Sequence, residues 1–205
     1  MSLNTPIKED IIQEQILQAA KRLFAIYGVA KVTMDDVAKA VGKGRSSLYY
    51  YYKSKDEILD GVINLELSEV RAAMKKAIEK AVTVEQKISA FYTTKLKVVR
   101  EKGPFFRTLE SGMDADTISY FSKAKIVHHE QTLKFEGALM MQILKDGIAK
   151  GELRTIDEKD MESLIFVLLS SLHGLKSEMR LENNVRNIEP VVAQLTRLLM
   201  RGLIK

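Results

Sequence analysis

A chain of 205 residues, 46% of them hydrophobic, can bury a full core or join a small module to a larger one, and is not a disordered polypeptide. With no cysteine it has no disulfide, thiolate metal site or cysteine nucleophile, which fits a reducing interior and makes the cytoplasm the expected compartment. The net charge of +5 is unevenly spread: nine basic against five acidic residues up to Lys55 give an excess of +4, leaving about +1 to the other 150 residues, so an anionic partner is expected at the N-terminal quarter.

Apolar residues recur at spacings of three and four along almost every long segment, without sustained alternation, which predicts an all-α protein of about nine helices. No apolar run approaches the roughly 18 to 20 residues that span a bilayer, so no membrane partner is expected. The first helix is predicted over 8–27, with Ile12, Ile16, Ala20, Leu23 and Tyr27 as its stripe and Gly28 as its stop. Two short helices follow. A long helix begins near Asp56, with Ser54 as its N-cap and Ile58, Val62, Leu65, Val70, Met74 and Ala77 on its buried side.

The spacing then predicts a helix over 84–100, ended by Gly103-Pro104, and a short one over 105–110. Helices over 117–150, 157–181 and 191–203 complete the chain. Residues 164–169 are apolar around the whole helix circumference, which predicts burial on all sides by the chain's own core or by a second subunit.

The stretch 33–52 carries the functional reading. Thr33 is placed to cap a short helix whose residues Met34, Val37, Ala38 and Val41 share a face, and Gly42 ends it. Two helices crossing steeply through a short turn need a small residue at their contact, a glycine at positive φ in the turn and an apolar anchor on the second helix. Ala38, Gly42 and Leu48 meet those needs in order. The second helix then offers Arg45, Ser46 and Ser47 to a major groove, where arginine bonds guanine bidentately and serine bonds several base edges.

Four of the seven tyrosines are consecutive, at 49–52, and point about 100° apart on a helix. Tyr51 and Tyr52 are expected to turn inward with Leu48, while Tyr49 and Tyr50 face DNA. Lys55 is expected at a phosphate. The candidate DNA contacts are thus Thr33, Lys43, Arg45, Ser46, Ser47, Tyr49, Tyr50 and Lys55. The plain alternative, an ordinary helical hairpin, is disfavoured by the tyrosine-rich second helix, the local charge and the Lys53-Ser54-Lys55 boundary.

Thr33, Ala38, Gly42, Ser47, Leu48, Tyr49, Lys53-Ser54-Lys55 and Leu59 fall in register with a pattern typical of TetR regulators, which the chain resembles over roughly its first 60 residues. Residues 16–28 are similar to that family's first helix, and 143–153 to a weaker signature of its C-terminal domain. Lys43 departs from the usual small apolar residue and is expected to add a phosphate contact at some loss of packing; Tyr52 replaces the usual phenylalanine.

The resemblance implies a helix-turn-helix DNA-binding domain over 8–55 and a helical ligand-binding and dimerisation domain over 56–205. It implies a homodimeric repressor on double-stranded, palindromic operator DNA, released by a largely apolar small-molecule effector. The dimer interface is expected on the last two helices, through Leu164, Leu168, Leu172, Leu175, Val192, Leu195, Leu199 and Leu203. The implied cavity draws candidates from the aromatics and methionines between Phe91 and Phe166: Phe91, Lys95, Phe106, Met113, His128 and Phe166, each of which has a plain core reading beside it.

Catalytic, metal and cofactor sites are not expected. His128-His129-Glu130 lacks the spacing of three or four that helical ligand pairs need, and there is no phosphate loop or dinucleotide fingerprint. A DNA-bound interaction protein without a small-molecule response, and a helical enzyme or carrier, are the rival readings.

Overall fold

The computed structural model describes residues 5–110, 112–181 and 187–204. Eight α-helices account for its regular structure, with no strand among the described residues: α1 (Thr5–Tyr27), α2 (Met34–Ala40), α3 (Arg45–Tyr51), α4 (Lys55–Glu79), α5 (Val84–Glu110), α6 (Ala115–Ala149), α7 (Glu158–Leu181) and α8 (Ile188–Leu203). The expected ninth helix is absent because α5 continues through Gly103-Pro104. An internal proline forfeits a hydrogen bond and crowds the preceding turn. Here Phe105, Phe106 and the fully buried Leu109 carry the apolar stripe beyond it, and the Thr108 hydroxyl donates to the Pro104 carbonyl at 3.1 Å. Packing holds the helix where local punctuation would end it.

The chain forms two compact units, each discontinuous in sequence: residues 1–69 with 102–128, and 70–101 with 129–205. Residues 8–55 lie wholly in the first, whereas 56–205 is divided between the two.

In the first unit, α1 buries Ile16, Ala20 and Phe24 at spacings of four. Phe24, not Tyr27, ends that stripe: Tyr27 is exposed because Gly28, at φ 75°, turns the chain immediately after it. Val37, Ala38, Leu48, Ile58 and Leu59 bring α2, α3 and the start of α4 onto the same core. Gly61 marks a close approach, since a Cβ there would lie 2.6 Å from Leu17 Cδ2. Ser54 caps α4, its hydroxyl accepting from Glu57 N at 3.2 Å while the Glu57 carboxylate accepts from Lys53 N at 2.6 Å. Below α1, the buried Glu66 carboxylate of α4 pairs with Lys21 and, at 2.6 Å, with Lys102 of α5, and Glu69 joins both lysines.

In the second unit Phe91, Tyr92, Met140, Leu144, Leu168 and Leu172 form the centre of the core. The Tyr92 hydroxyl satisfies itself on the Leu168 carbonyl at 2.8 Å. Glu152 accepts from Val84 N at 2.7 Å, covering an unpaired donor at the start of α5. Asp157 and Asn187 cap α7 and α8.

The all-round burial expected for 164–169 is not met within the chain. Leu168 is buried, whereas Phe166 and Val167 are 73% and 56% exposed. A spacing of seven then four, through Met161, Leu168 and Leu172, turns one face inward and leaves the opposite one bare.

Candidate nucleic-acid interface

The geometry of α2 and α3 follows from a few local constraints. Thr33 and Asp36 form a reciprocal capping box: Asp36 N donates to the Thr33 hydroxyl at 3.2 Å, and Thr33 N donates to the Asp36 carboxylate at 2.9 Å. The Thr33 hydroxyl also donates to Asp36 at 2.6 Å. These bonds, the side-chain one first, hold the Asp36 carboxyl below its ordinary value. Gly42 takes φ 64°, a left-handed conformation that costs a glycine little, and Lys43 N returns to the Ala38 carbonyl at 2.9 Å. The chain then enters α3 through Gly44, with no side-chain cap.

Leu48 is fully buried and anchors α3, with Tyr51 and Tyr52 packed beside it on the same core. Burial raises the Tyr52 hydroxyl's pKa. The other side of α3 presents Arg45, Ser46 and Tyr50 to solvent, with Ser47 and Tyr49 partly buried between the two faces. The inward and outward tyrosines divide as the helical angle requires. Lys43 is exposed in the turn, and Lys53 closes the far end of α3 by donating to the Tyr49 and Tyr50 carbonyls at 2.9 and 3.3 Å.

Arg45, Tyr50 and Lys55 are held by partners in the free protein. The Arg45 guanidinium lies 5.5 Å from the Tyr49 ring centroid and reaches Asp35 of α2, with Nε and Nη1 each 3.4 Å from a carboxylate oxygen. Tyr49 first, then Asp35, favours the charged guanidinium. The Tyr50 hydroxyl donates to Glu9 of α1 at 3.2 Å, and the adjacent carboxylate holds that phenol's proton more firmly. Lys55, expected at a phosphate, donates in the free protein to the Val29 carbonyl at 2.9 Å, tying the start of α4 to the loop after α1.

The six cavity candidates are divided between the two units. Phe91 and Lys95 belong to the second unit, where Lys95 is buried and paired with the buried Glu136 at 2.5 Å. Phe106, Met113 and His128 belong to the first unit. There the two apolar residues pack on the core, and His128 Nε2 lies 2.9 Å from Asp60 Oδ1. Phe166 is on the bare side of α7.

Of the expected dimer contacts, Leu168, Leu172, Val192 and Leu203 are buried in their own chain, because they face its core from α7 and α8; Leu164, Leu175, Leu195 and Leu199 are partly buried. The exposed apolar residues of these helices are Phe166, Val167, Val191 and Leu198. Among the described residues no cluster of His, Cys, Asp or Glu could hold a metal ion, and no helix is long and apolar enough to cross a membrane.

A capped helix, a glycine turn and a second helix with a buried anchor and an exposed polar face together define a helix-turn-helix DNA-binding protein. Residues 16–62 match the family described as bacterial regulatory proteins, tetR family, and the chain belongs to that family of transcriptional regulators. It is 22% identical over 191 residues to the uncharacterized HTH-type transcriptional regulator YhgD of Bacillus subtilis strain 168, across 92% of this chain and 94% of that protein. It is also 22% identical over 161 residues to the HTH-type transcriptional repressor KstR2 of Mycolicibacterium smegmatis, across 75% of this chain and 73% of that one. The fold is similar to that of the fatty acid degradation regulator FadR from Bacillus halodurans, with a TM-score of 0.60 and 17% identity over 92% of this chain and 94% of that one.

Proposed function

We propose that this regulator is a ligand-responsive repressor that binds a palindromic operator as a homodimer. The observation that carries the reading is α3 itself, seated by Leu48 with Arg45, Ser46 and Tyr50 turned to solvent. Residues 8–55 are the DNA-binding domain in this reading and 56–205 the regulatory one. Arg45 reads a guanine, Ser46 and Ser47 read neighbouring base edges, Tyr49 and Tyr50 meet the backbone or a thymine methyl, and Thr33 and Lys43 contact phosphate. Lys55 acts at one remove by fixing the start of α4.

One helix-turn-helix reads too few base pairs for specific binding, so two copies on a two-fold site are needed. The exposed Phe166, Val167, Val191 and Leu198 support pairing through α7 and α8, because burying large apolar side chains against a partner is favourable. The effector is an apolar small molecule bound by the second unit. Its methionine- and aromatic-containing core suits an adaptable apolar ligand, and the name of the similar Bacillus halodurans protein points the same way.

Selection of genomic fragments on the purified protein tests the reading. Recovered fragments should share an inverted repeat, bind at two chains per site, and lose sequence preference with Arg45→Ala. Recovery of fragments with no common sequence would refute operator recognition. An operator complex that persists across a library of apolar ligands shown to bind the protein would refute the ligand response and favour a DNA-bound interaction protein.

A further inference from the structure

We propose that Arg71 is the receptor for a carboxylate, so that the effector is an apolar acid docked by its head group on α4. The inference rests on the effector reading above and adds the chemistry of the ligand. Arg71 lies in the second unit, partly buried, with its guanidinium carbon 5.7 Å from the centroid of the Phe135 ring of α6. Its Nε and Nη2 are shielded from solvent and have no hydrogen-bond partner.

Buried guanidinium donors without acceptors are costly, and a folded chain ordinarily satisfies them. These two nitrogens also share one edge of the planar group, and their N–H bonds run parallel. That edge is the fork that matches the two oxygens of a carboxylate. The structure therefore presents a bidentate pair of donors for which the chain supplies no acceptor.

The surroundings narrow the ligand further. Lys75, one turn along α4, places its ammonium 5.7 Å from the same Phe135 ring, so two cations lie against that ring. The buried Glu136, next to Phe135 in sequence, is already paired with Lys95. Among the described residues no carboxylate forms a salt bridge to either Arg71 or Lys75. Phe135 packs on the apolar core of the unit, so an anion held at the fork would set an attached hydrocarbon or ring against that core. Of the two polar residues among the cavity candidates, Lys95 is neutralised by Glu136 and His128 bonds to Asp60, whereas the Nε and Nη2 edge of Arg71 has no acceptor.

Calorimetric titration of the full-length protein with sodium decanoate and 4-phenylbutyrate, each beside its corresponding alcohol, tests the site. At least one acid should bind saturably and at least tenfold more tightly than its alcohol. Arg71→Met should remove that preference, and Arg71→Lys, which keeps the charge without the fork, should weaken acid binding at least severalfold. Should Arg71→Met fail to fold, Arg71→Lys and the shift of the Arg71 Nε–H resonance on adding acid to the wild-type protein carry the test. No preference for acid over alcohol, or full acid affinity in Arg71→Lys, overturns the proposal. Acid binding through Arg71 that leaves the operator complex intact would uphold the site and refute the effector reading instead.

Discussion

The ion pair between Lys95 and Glu136 permits a sharp test of what a charge inside the second unit is for. Both residues are buried, at 7% and 4% exposure, with Nζ 2.5 Å from Oε1. Replacing Lys95 by methionine keeps most of the stem's volume while leaving the Glu136 carboxylate without its cation. Breaking a buried pair from one side costs about 3 to 5 kcal/mol, because the remaining charge is desolvated and uncompensated. With a urea dependence of roughly 2 to 3 kcal/mol per molar, the unfolding midpoint should fall by about 1 to 2.5 M. The double variant Lys95→Met with Glu136→Leu removes both charges and should recover most of that loss, giving a large coupling energy in a double-mutant cycle. Urea unfolding followed by circular dichroism reads both outcomes. A loss below about 1 kcal/mol in Lys95→Met, or a double variant as unstable as the single one, would refute the claim that the pair is an internal structural element. A Lys95 that served as an effector's counter-ion would behave in the opposite way, keeping stability and losing ligand.

Under the proposed reading Asp35 competes with DNA for the Arg45 guanidinium, so Asp35→Asn should raise affinity for a scrambled duplex severalfold, whereas Arg45→Ala should weaken operator binding tenfold or more; fluorescence anisotropy measures both. Gly42→Ala meets no atom within 4 Å at φ 64°, so its cost is backbone strain alone, about 1 to 2 kcal/mol by thermal unfolding. At Glu69, burial raises the carboxyl, but hydrogen bonds from Lys102 and then Lys21 outweigh it and leave the group below its ordinary 4.5. A carboxyl depressed in the folded state contributes fully above its unfolded value and loses that contribution as pH falls through the folded one. The first unit should therefore weaken on acidification below about pH 4.5, and Lys102→Met should shrink that loss when stability is followed against pH.

The helix-turn-helix is legible in the sequence because its constraints are short-range. Thr33 and Asp36 are three residues apart, and Ala38 and Lys43 close the turn through Gly42 with a single backbone bond. Such spacings survive whatever the rest of the chain does. The contacts that position the reading face are different in kind: Arg45 with Asp35, Tyr50 with Glu9, and Lys55 with Val29 each join separate elements, at separations of 10, 41 and 26 residues. No periodicity encodes them, so the solvent-facing residues of α3 were legible while the groups holding them in the free protein were not.

The regulatory part was harder to read for a structural reason. Helices α4, α5 and α6 each contribute residues to both compact units, and an apolar residue has the same pattern whichever unit buries it. Phe91 and Phe106 look like members of one cluster along α5, yet they pack in separate cores. Gly103-Pro104 reads as a stop for the same reason, since the residues that keep the helix going are buried by partners distant in sequence. Aromatic composition therefore locates cores and does not by itself separate a core from a binding site. What separates them is polar satisfaction. The Lys95 ammonium ends on a carboxylate, His128 on Asp60 and Tyr92 on a carbonyl, whereas the Nε and Nη2 edge of Arg71 ends on nothing in the chain. Two shielded donors on one edge of a single guanidinium, both without an acceptor, give that edge its weight as a place for something from outside.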